Sequence, residues 1–232
     1  VLVTGGAGYI GSHTCKALVR AGFTPIVYDS LLRGHSWAVK WGPLELGDLM
    51  DTERLRDVLC QYKPIGVIHF AALAYVGESM QSPLMYYRNN VCGTASLLRA
   101  VAAEGIHRFV FSSTCATYGT PLENPIHEAM PQNPINPYGQ SKLMVEQILK
   151  DCAANASLSA VALRYFNAAG ADAEGEIGEA HQPETHLIPL ALGAAQGSAP
   201  PLTVFGEDYA TPDGTCIRDY IHVTDLADAH VK

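Results

Sequence analysis

Six short runs rich in β-branched and aliphatic residues punctuate the first 166 residues, with longer helical patterns between them. The runs are "VLV" at 1–3, "TPIVY" at 24–28, "PLEL" at 43–46, "IGVIHF" at 65–70, "RFVFSS" at 108–113 and "LSAVALRYF" at 158–166. Helices are expected over about 9–21, 51–62, 83–104 and 138–154. In the second of these, Leu55, Val58, Leu59 and Tyr62 share one face, and Asp51 is the natural N-cap. Strands that are apolar throughout have no polar face to show to water. Alternating with helices, they require a parallel sheet covered on both sides. The expected class is α/β, with a doubly wound parallel sheet.

The first strand runs into "TGGAGYIGSHTCKALVRAG", which contains Gly5-x-x-Gly8-x-x-Gly11. Alone, such a glycine set is weak evidence. Here it follows a strand, opens a helix and lies in the first unit of a parallel sheet, the context that gives it meaning. Glycines let the chain turn tightly and let a pyrophosphate approach the backbone, while free N–H groups at the helix start face the anion. The sheet is therefore expected to be of the Rossmann type. The next strand ends at Asp29, whose carboxylate can accept bonds from an adenosine ribose and would repel a 2′-phosphate; this favours NAD over NADP. Arg33, close by, is the residue that could receive a 2′-phosphate instead. Asp48 in "LGDL" could meet the adenine amino group.

After residue 170 the alternation breaks, and Gly, Pro and acidic residues dominate 170–184. The expected organisation is a dinucleotide-binding domain over 1–170, the start of a smaller substrate domain over 171–213, and a segment over 214–232 that returns to the first domain. The first residue is not Met, and "DLADAHVK" reads as an unfinished helix, so trimmed ends are expected.

The net charge of −8 and the lack of any Lys/Arg run argue against a nucleic-acid binder. Cys15, Cys60, Cys92, Cys115, Cys152 and Cys216 form no CxxC pair, which fits a reducing compartment and small apolar side chains rather than a disulfide framework. No signal-peptide pattern is present, and the longest apolar stretch is shorter than a membrane span. The chain reads as cytoplasmic. No His/Cys/Asp/Glu set shows metal-ligand spacing, so no metal is expected. His69 reads as a core histidine and Cys115 as packing.

"NPYGQSKLMVEQIL" sets Tyr138 and Lys142 four apart, on one face of a helix. By spacing alone this is as consistent with a solvated pair as with a reaction centre. Taken with the glycine loop and "SSTCATYG" at 112–119, it resembles the extended short-chain dehydrogenase/reductases. "HFAALAYVGES", "YYRNNVCGT", "ALRYFNAAGAD", "PETHLIP" and "DGTCIRDYIHVTDLADAH" narrow the resemblance to the UDP-glucose 4-epimerase group, over essentially the whole chain.

The resemblance implies an NAD-dependent enzyme that inverts C4 of a UDP-hexose through a transient 4-keto intermediate, and a homodimer. Tyr138 would be the acid/base, Lys142 would hold the nicotinamide ribose, and Thr114 would bond the reacting hydroxyl. Ser112 or Ser113 could take the place of Thr114. Gly5, Gly8, Tyr9, Ile10 and Gly11 would cradle the pyrophosphate; Asp29, Ser30, Asp48 and Leu49 would hold the adenosine. Phe70, Ala71, Ala72, Asn89 and Phe166 would line the dinucleotide cleft. Asn167, His186, Leu187, Phe205 and Arg218 would contact the nucleotide sugar. Ala74 stands where some members place a lysine against the cofactor phosphates. A free phenol titrates near 10, so the Lys142 ammonium and a positive nicotinamide ring are expected to favour the phenolate. The alternatives are a UDP-xylose/UDP-arabinose 4-epimerase, and, in another class, a non-catalytic NAD-binding module. A 4,6-dehydratase fits less well, because Cys115 and Ala116 stand where it needs an acidic pair.

Overall fold

The computed structural model describes residues 1–121, 123–156 and 158–232. Its main sheet contains β1 (Leu2–Thr4), β2 (Ile26–Asp29), β3 (Leu44–Leu46), β4 (Val67–His69), β5 (Arg108–Ser112) and β6 (Ser159–Leu163). All pairs are parallel, in the order β3-β2-β1-β4-β5-β6. This is the Rossmann order, whose direction reverses between β1 and β4 and opens a crevice at the carboxyl ends of those strands. The expected class and the six strand positions are met. Strand β2 starts two residues later than expected because Pro25 has no N–H to give to the ladder; Ile26 N makes the first bond, to Val1 O at 2.8 Å.

Helices cover both faces. On one lie α2 (Thr52–Tyr62), α5 (Gly93–Ala103) and α6 (Pro137–Ala156), joined to the sheet by Leu55, Leu59, Leu97, Val101, Val145 and Leu149 packed on Leu2, Val67, Phe109 and Phe111. On the other, Cys15 and Leu18 of α1 (Tyr9–Arg20) pack on Val3, Val27 and Ile68. Asp51 caps α2 as expected, its carboxylate accepting from Arg54 N at 3.0 Å. His69 is a core histidine. Its Nδ1 lies 2.6 Å from Thr4 Oγ1 and its Nε2 2.8 Å from Thr94 Oγ1. Burial, then the nearby Lys142 charge, push its pKa down to about 3.

The helix expected over 83–104 is present but composite. It begins as α4 (Pro83–Tyr86), widens into a π-helical stretch at Tyr87–Cys92 and continues as α5. Such wide turns tend to mark functional positions, and this one carries Asn89 and Asn90. Just before it lies α3 (Val76–Gln81), a short helix with no capping side chain to announce it. Beyond residue 163 come β7 (Asn167–Ala169), α7 (Leu187–Ala195), β8 (Tyr220–His222) and α8 (Val223–Val231). Strands β7 and β8 pair in parallel as a separate two-stranded sheet, and α8 packs against α1. Among the described residues no helix is long and apolar enough to cross a membrane.

Candidate active site

A cleft of about 1080 Å³ opens over the carboxyl ends of β1 and β4. That is large for one small ligand and suits two placed end to end. At its floor, Gly5 has φ +73°, and a Cβ there would lie 2.5 Å from Ala71 N. A Cβ on Gly11 would lie 2.2 Å from Gly5 O. Only glycine allows the loop to fold onto itself and onto β4 so closely. Gly8 is the N-cap of α1 and gives no side-chain cap, so the first N–H groups of the helix are left unsatisfied by side chains at the cleft. This cradle fits a dinucleotide pyrophosphate.

Asp29 ends β2 with 8% exposure. Its two carboxylate oxygens accept from Ala7 N at 3.0 Å and Leu31 N at 2.8 Å. Burial raises its pKa against these bonds. Arg33 is not available to a 2′-phosphate. It pairs with Glu78 at 2.7 Å, donates to Gln182 O at 3.1 Å and lies over the Tyr75 ring at 5.0 Å. The donor set around Asp29 therefore fits NAD. Ser30, Asp48 and Leu49 line the same end, with Asp48 also accepting from Met50 N at 2.8 Å. Phe70, Ala71, Ala72, Asn89 and Phe166 line the middle.

At the other end, β5 and α6 bring Thr114, Tyr138 and Lys142 to the cleft wall. The Tyr138 phenol is partly buried, and the Thr114 hydroxyl beside it favours its ionised form. Thr114 Oγ1 also accepts from Ala116 N at 3.1 Å. The two neighbouring serines are committed elsewhere: Ser112 Oγ lies 2.5 Å from the Tyr165 hydroxyl, and Ser113 Oγ bonds Glu146. This places Thr114, rather than either serine, beside the phenol. Lys142 is 3% exposed, donates to Ser112 O at 2.7 Å and lies 4.8 Å from the centre of the Phe111 ring.

The charge balance differs from the sequence expectation. Burial raises the Tyr138 phenol, with Thr114 opposing, and burial drops Lys142 to about 7, with Glu146 opposing. From the chain's own groups alone, the pair favours a neutral phenol and a half-protonated amine. The positive charge that favours a phenolate has to arrive with the cofactor. Burial also raises the Cys115 thiol to about 11, so packing is its role here.

Asn167, His186 and Arg218 line the cleft, with Arg218 donating to Ile217 O at 2.9 Å and making no ion pair among the described residues. Leu187 and Phe205 are not brought to it. Leu187 is 50% exposed at the start of α7, and Phe205 is 93% exposed in an extended stretch. Sequence reasoning missed Glu146 and Arg164. Glu146, one turn after Lys142 on α6, holds Ser113 at the end of β5, Gln132 at 3.0 Å and Arg164 at 2.6 Å. It thereby fixes the helix that carries Tyr138 and Lys142. The i, i+4 step from Lys142 was the signal available.

The segment after β7 closes over α1. Tyr9 Oη donates to Gly170 O at 2.5 Å, His35 Nε2 lies 2.7 Å from Ala180 O, and Lys40 donates to Glu176 O at 2.8 Å. Lys16 reaches Asp172 at 2.8 Å and both Glu174 and Glu176 at 2.6 Å. The reading of no ligand-spaced set is also corrected. Glu179, His181, Glu184 and His186 converge, each with a donor atom within 4.8 Å of the others.

A strand–glycine loop–helix cradle, an acidic end to β2 and a Thr–Tyr–Lys corner in one crevice define a dinucleotide-binding protein of the Rossmann type. The chain belongs to the NAD dependent epimerase/dehydratase family, which matches residues 1–232. It is 60% identical over 232 residues to a UDP-glucose 4-epimerase of Rhizobium leguminosarum bv. trifolii, covering 100% of this chain and 71% of the relative. Among solved structures, a UDP-glucose 4-epimerase from Brucella ovis in complex with NAD superposes with TM-score 0.97 at 59% identity, covering 99% of this chain and 71% of that one. A UDP-glucose 4-epimerase from Bifidobacterium longum in complex with NAD⁺ and UDP superposes with TM-score 0.94 at 41% identity, covering 99% and 72%.

Proposed function

We propose that this chain is an NAD-dependent isomerase that inverts C4 of a UDP-hexose, interconverting UDP-galactose and UDP-glucose. The observation that carries the reading is that Tyr138, one helical turn from Lys142, shares with Thr114 the cleft that the glycine cradle also lines. The names of the relatives and the bound NAD and UDP of the solved neighbours support it.

NAD, when bound, supplies the hydride acceptor and then the hydride donor. Gly5, Gly8, Tyr9, Ile10 and Gly11 would hold its pyrophosphate, and Asp29, Ser30, Asp48 and Leu49 its adenosine. Tyr138 would take the C4 hydroxyl proton while bound NAD would accept the C4 hydrogen as hydride, leaving a C4 ketone. Thr114 holds the same oxygen. After the sugar turns, Tyr138 would return the proton to the C4 oxygen as bound NAD would give the hydride back to the opposite face. Lys142, held by the Ser112 carbonyl, would bond the nicotinamide ribose. Arg218 would meet the sugar nucleotide's pyrophosphate, and Asn167 and the Nε2 side of the His186 ring its remaining polar groups. Residues 171–213 form the substrate-facing part, and 214–232 return to the dinucleotide half, a division supported by the packing of α8 on α1. Helices α5 and α6 serve a homodimer. Six free cysteines support a cytoplasmic setting.

The test is conversion of UDP-galactose to UDP-glucose, run beside UDP-xylose with product analysis. Wild type is expected to convert the hexose, and Tyr138→Phe to lose nearly all turnover while still binding NAD. An active Phe variant removes Tyr138 from the chemistry. Pentose conversion without hexose conversion reassigns the substrate.

A further inference from the structure

Residues 179–186 bring two imidazoles and two carboxylates together, in the pattern Glu-x-His-x-x-Glu-x-His, with Glu179, His181 and His186 lining the cleft. His186 Nδ1 lies 2.7 Å from Glu184 Oε1 and 2.9 Å from Glu179 Oε1. His181 Nδ1 lies 3.0 Å from Glu179 Oε1 and 3.9 Å from Glu184 Oε2. The Glu179 side chain is 9% exposed, so one carboxylate is sunk beneath both rings. Glu184 Oε1 also accepts from the backbone N–H groups of Thr185 and His186, both at 2.8 Å, which fixes the turn that brings the second ring back.

We propose that these four side chains bind one divalent first-row metal ion, with zinc the best match. A tetrahedral ion with bonds of about 2.0–2.2 Å needs donor atoms about 3.3–3.6 Å apart. The four separations above run from 2.7 to 3.9 Å, around that value, and all the donor atoms lie within 4.8 Å of one another, so the ion enters with side-chain shifts of up to about 1 Å. Two carboxylates offset the charge of the ion, and two neutral imidazoles complete the set. Mixed imidazole–carboxylate donors suit zinc and its neighbours better than magnesium or calcium, which prefer oxygen alone. The Tyr75 hydroxyl is buried with no hydrogen-bond partner among the described residues, and its ring lies 6.0 Å from that of His181. It offers one more polar group beside the donor set. The other acidic group, Asp172, Glu174 and Glu176, makes the contrast: there the Lys16 ammonium already fills the centre. The ion ties both ends of the 179–186 segment together in the cleft wall.

The test is titration of the chelator-treated protein with zinc sulfate by calorimetry, followed by zinc-edge X-ray absorption on the loaded protein. The expected result is one ion per chain, with nitrogen and oxygen scatterers at about 2.0–2.1 Å and no sulfur shell at about 2.3 Å. Glu179→Gln and His181→Ala are each expected to weaken binding at least tenfold, with folding checked by circular dichroism. A sulfur shell, no binding, or undiminished affinity in both folded variants overturns the proposal. The absorption spectrum of wild type decides the question even if either variant fails to fold.

Discussion

Replacing Lys142 by Met separates the cost of burying an ammonium from the chemistry it serves. The side chain is almost fully enclosed, and burial pulls its pKa from 10.5 to about 7 against a smaller opposing pull from Glu146. Each tenfold change in a proton equilibrium is worth about 1.4 kcal/mol, so at neutral pH and below the folded chain bears a cost of about 4–5 kcal/mol. Two contacts offset part of it. The hydrogen bond to Ser112 O is worth about 1.5–3 kcal/mol for a charged donor, and the position over Phe111 about 1–2 kcal/mol. Met has similar length and no charge, so near pH 7 the variant is expected to be as stable as wild type or slightly more so, while turnover collapses.

The pH profile is the sharper readout. Between about 7 and 10.5, folded Lys142 binds fewer protons than unfolded Lys142, so wild-type stability rises with pH across that window. Below about 7 the cost is complete and constant. Urea unfolding of dinucleotide-stripped wild type and Lys142→Met, from pH 6 to pH 10, cancels the groups they share. Their difference is expected to be flat below 7 and then to move by several kcal/mol in favour of wild type. Parallel curves throughout would mean that the lysine titrates normally and that the burial argument fails.

Two further outcomes follow from local geometry. Gly11→Ala sets a methyl 2.2 Å from Gly5 O, which forces backbone apart; stability is expected to fall by about 1–3 kcal/mol and NAD affinity to collapse, as read by fluorescence titration. Lys16→Met leaves the buried Asp172 carboxylate without its partner, an arrangement that costs about 3–5 kcal/mol; the thermal midpoint should drop and proteolysis near residues 170–178 should speed up, and an unchanged midpoint would show the ion cluster to be incidental.

What was legible in the sequence tracks what is local. The six strands, α1, α2 and the glycine cradle were readable because each is set by residues within a few positions: apolar runs for burial on two faces, Asp51 at a helix start, glycines where a Cβ would strike backbone. The Tyr138–Lys142 pair was readable as a spacing, and its companions as a resemblance. The charge state was not readable, because it depends on how deeply α6 sinks Lys142 against Phe111 and Ser112, a fact about packing between distant segments. The same holds for Arg33, which looked free for a phosphate until the fold brought Glu78, Tyr75 and Gln182 around it.

The convergence at 179–186 escaped for a different reason. Metal spacing is usually sought on a helix, where i and i+4 share a face, and here the four residues lie in irregular chain just ahead of α7. Irregular chain can bring residues two, three and five apart to one point only when its own backbone is held, and Glu184 supplies that hold by accepting from the two N–H groups that follow it. The carboxylate therefore does two jobs, shaping the turn and completing the donor set. Glu184→Gln is thus expected to be worse for zinc than the loss of one donor implies, because an amide keeps one oxygen for the N–H groups but brings no charge to the ion.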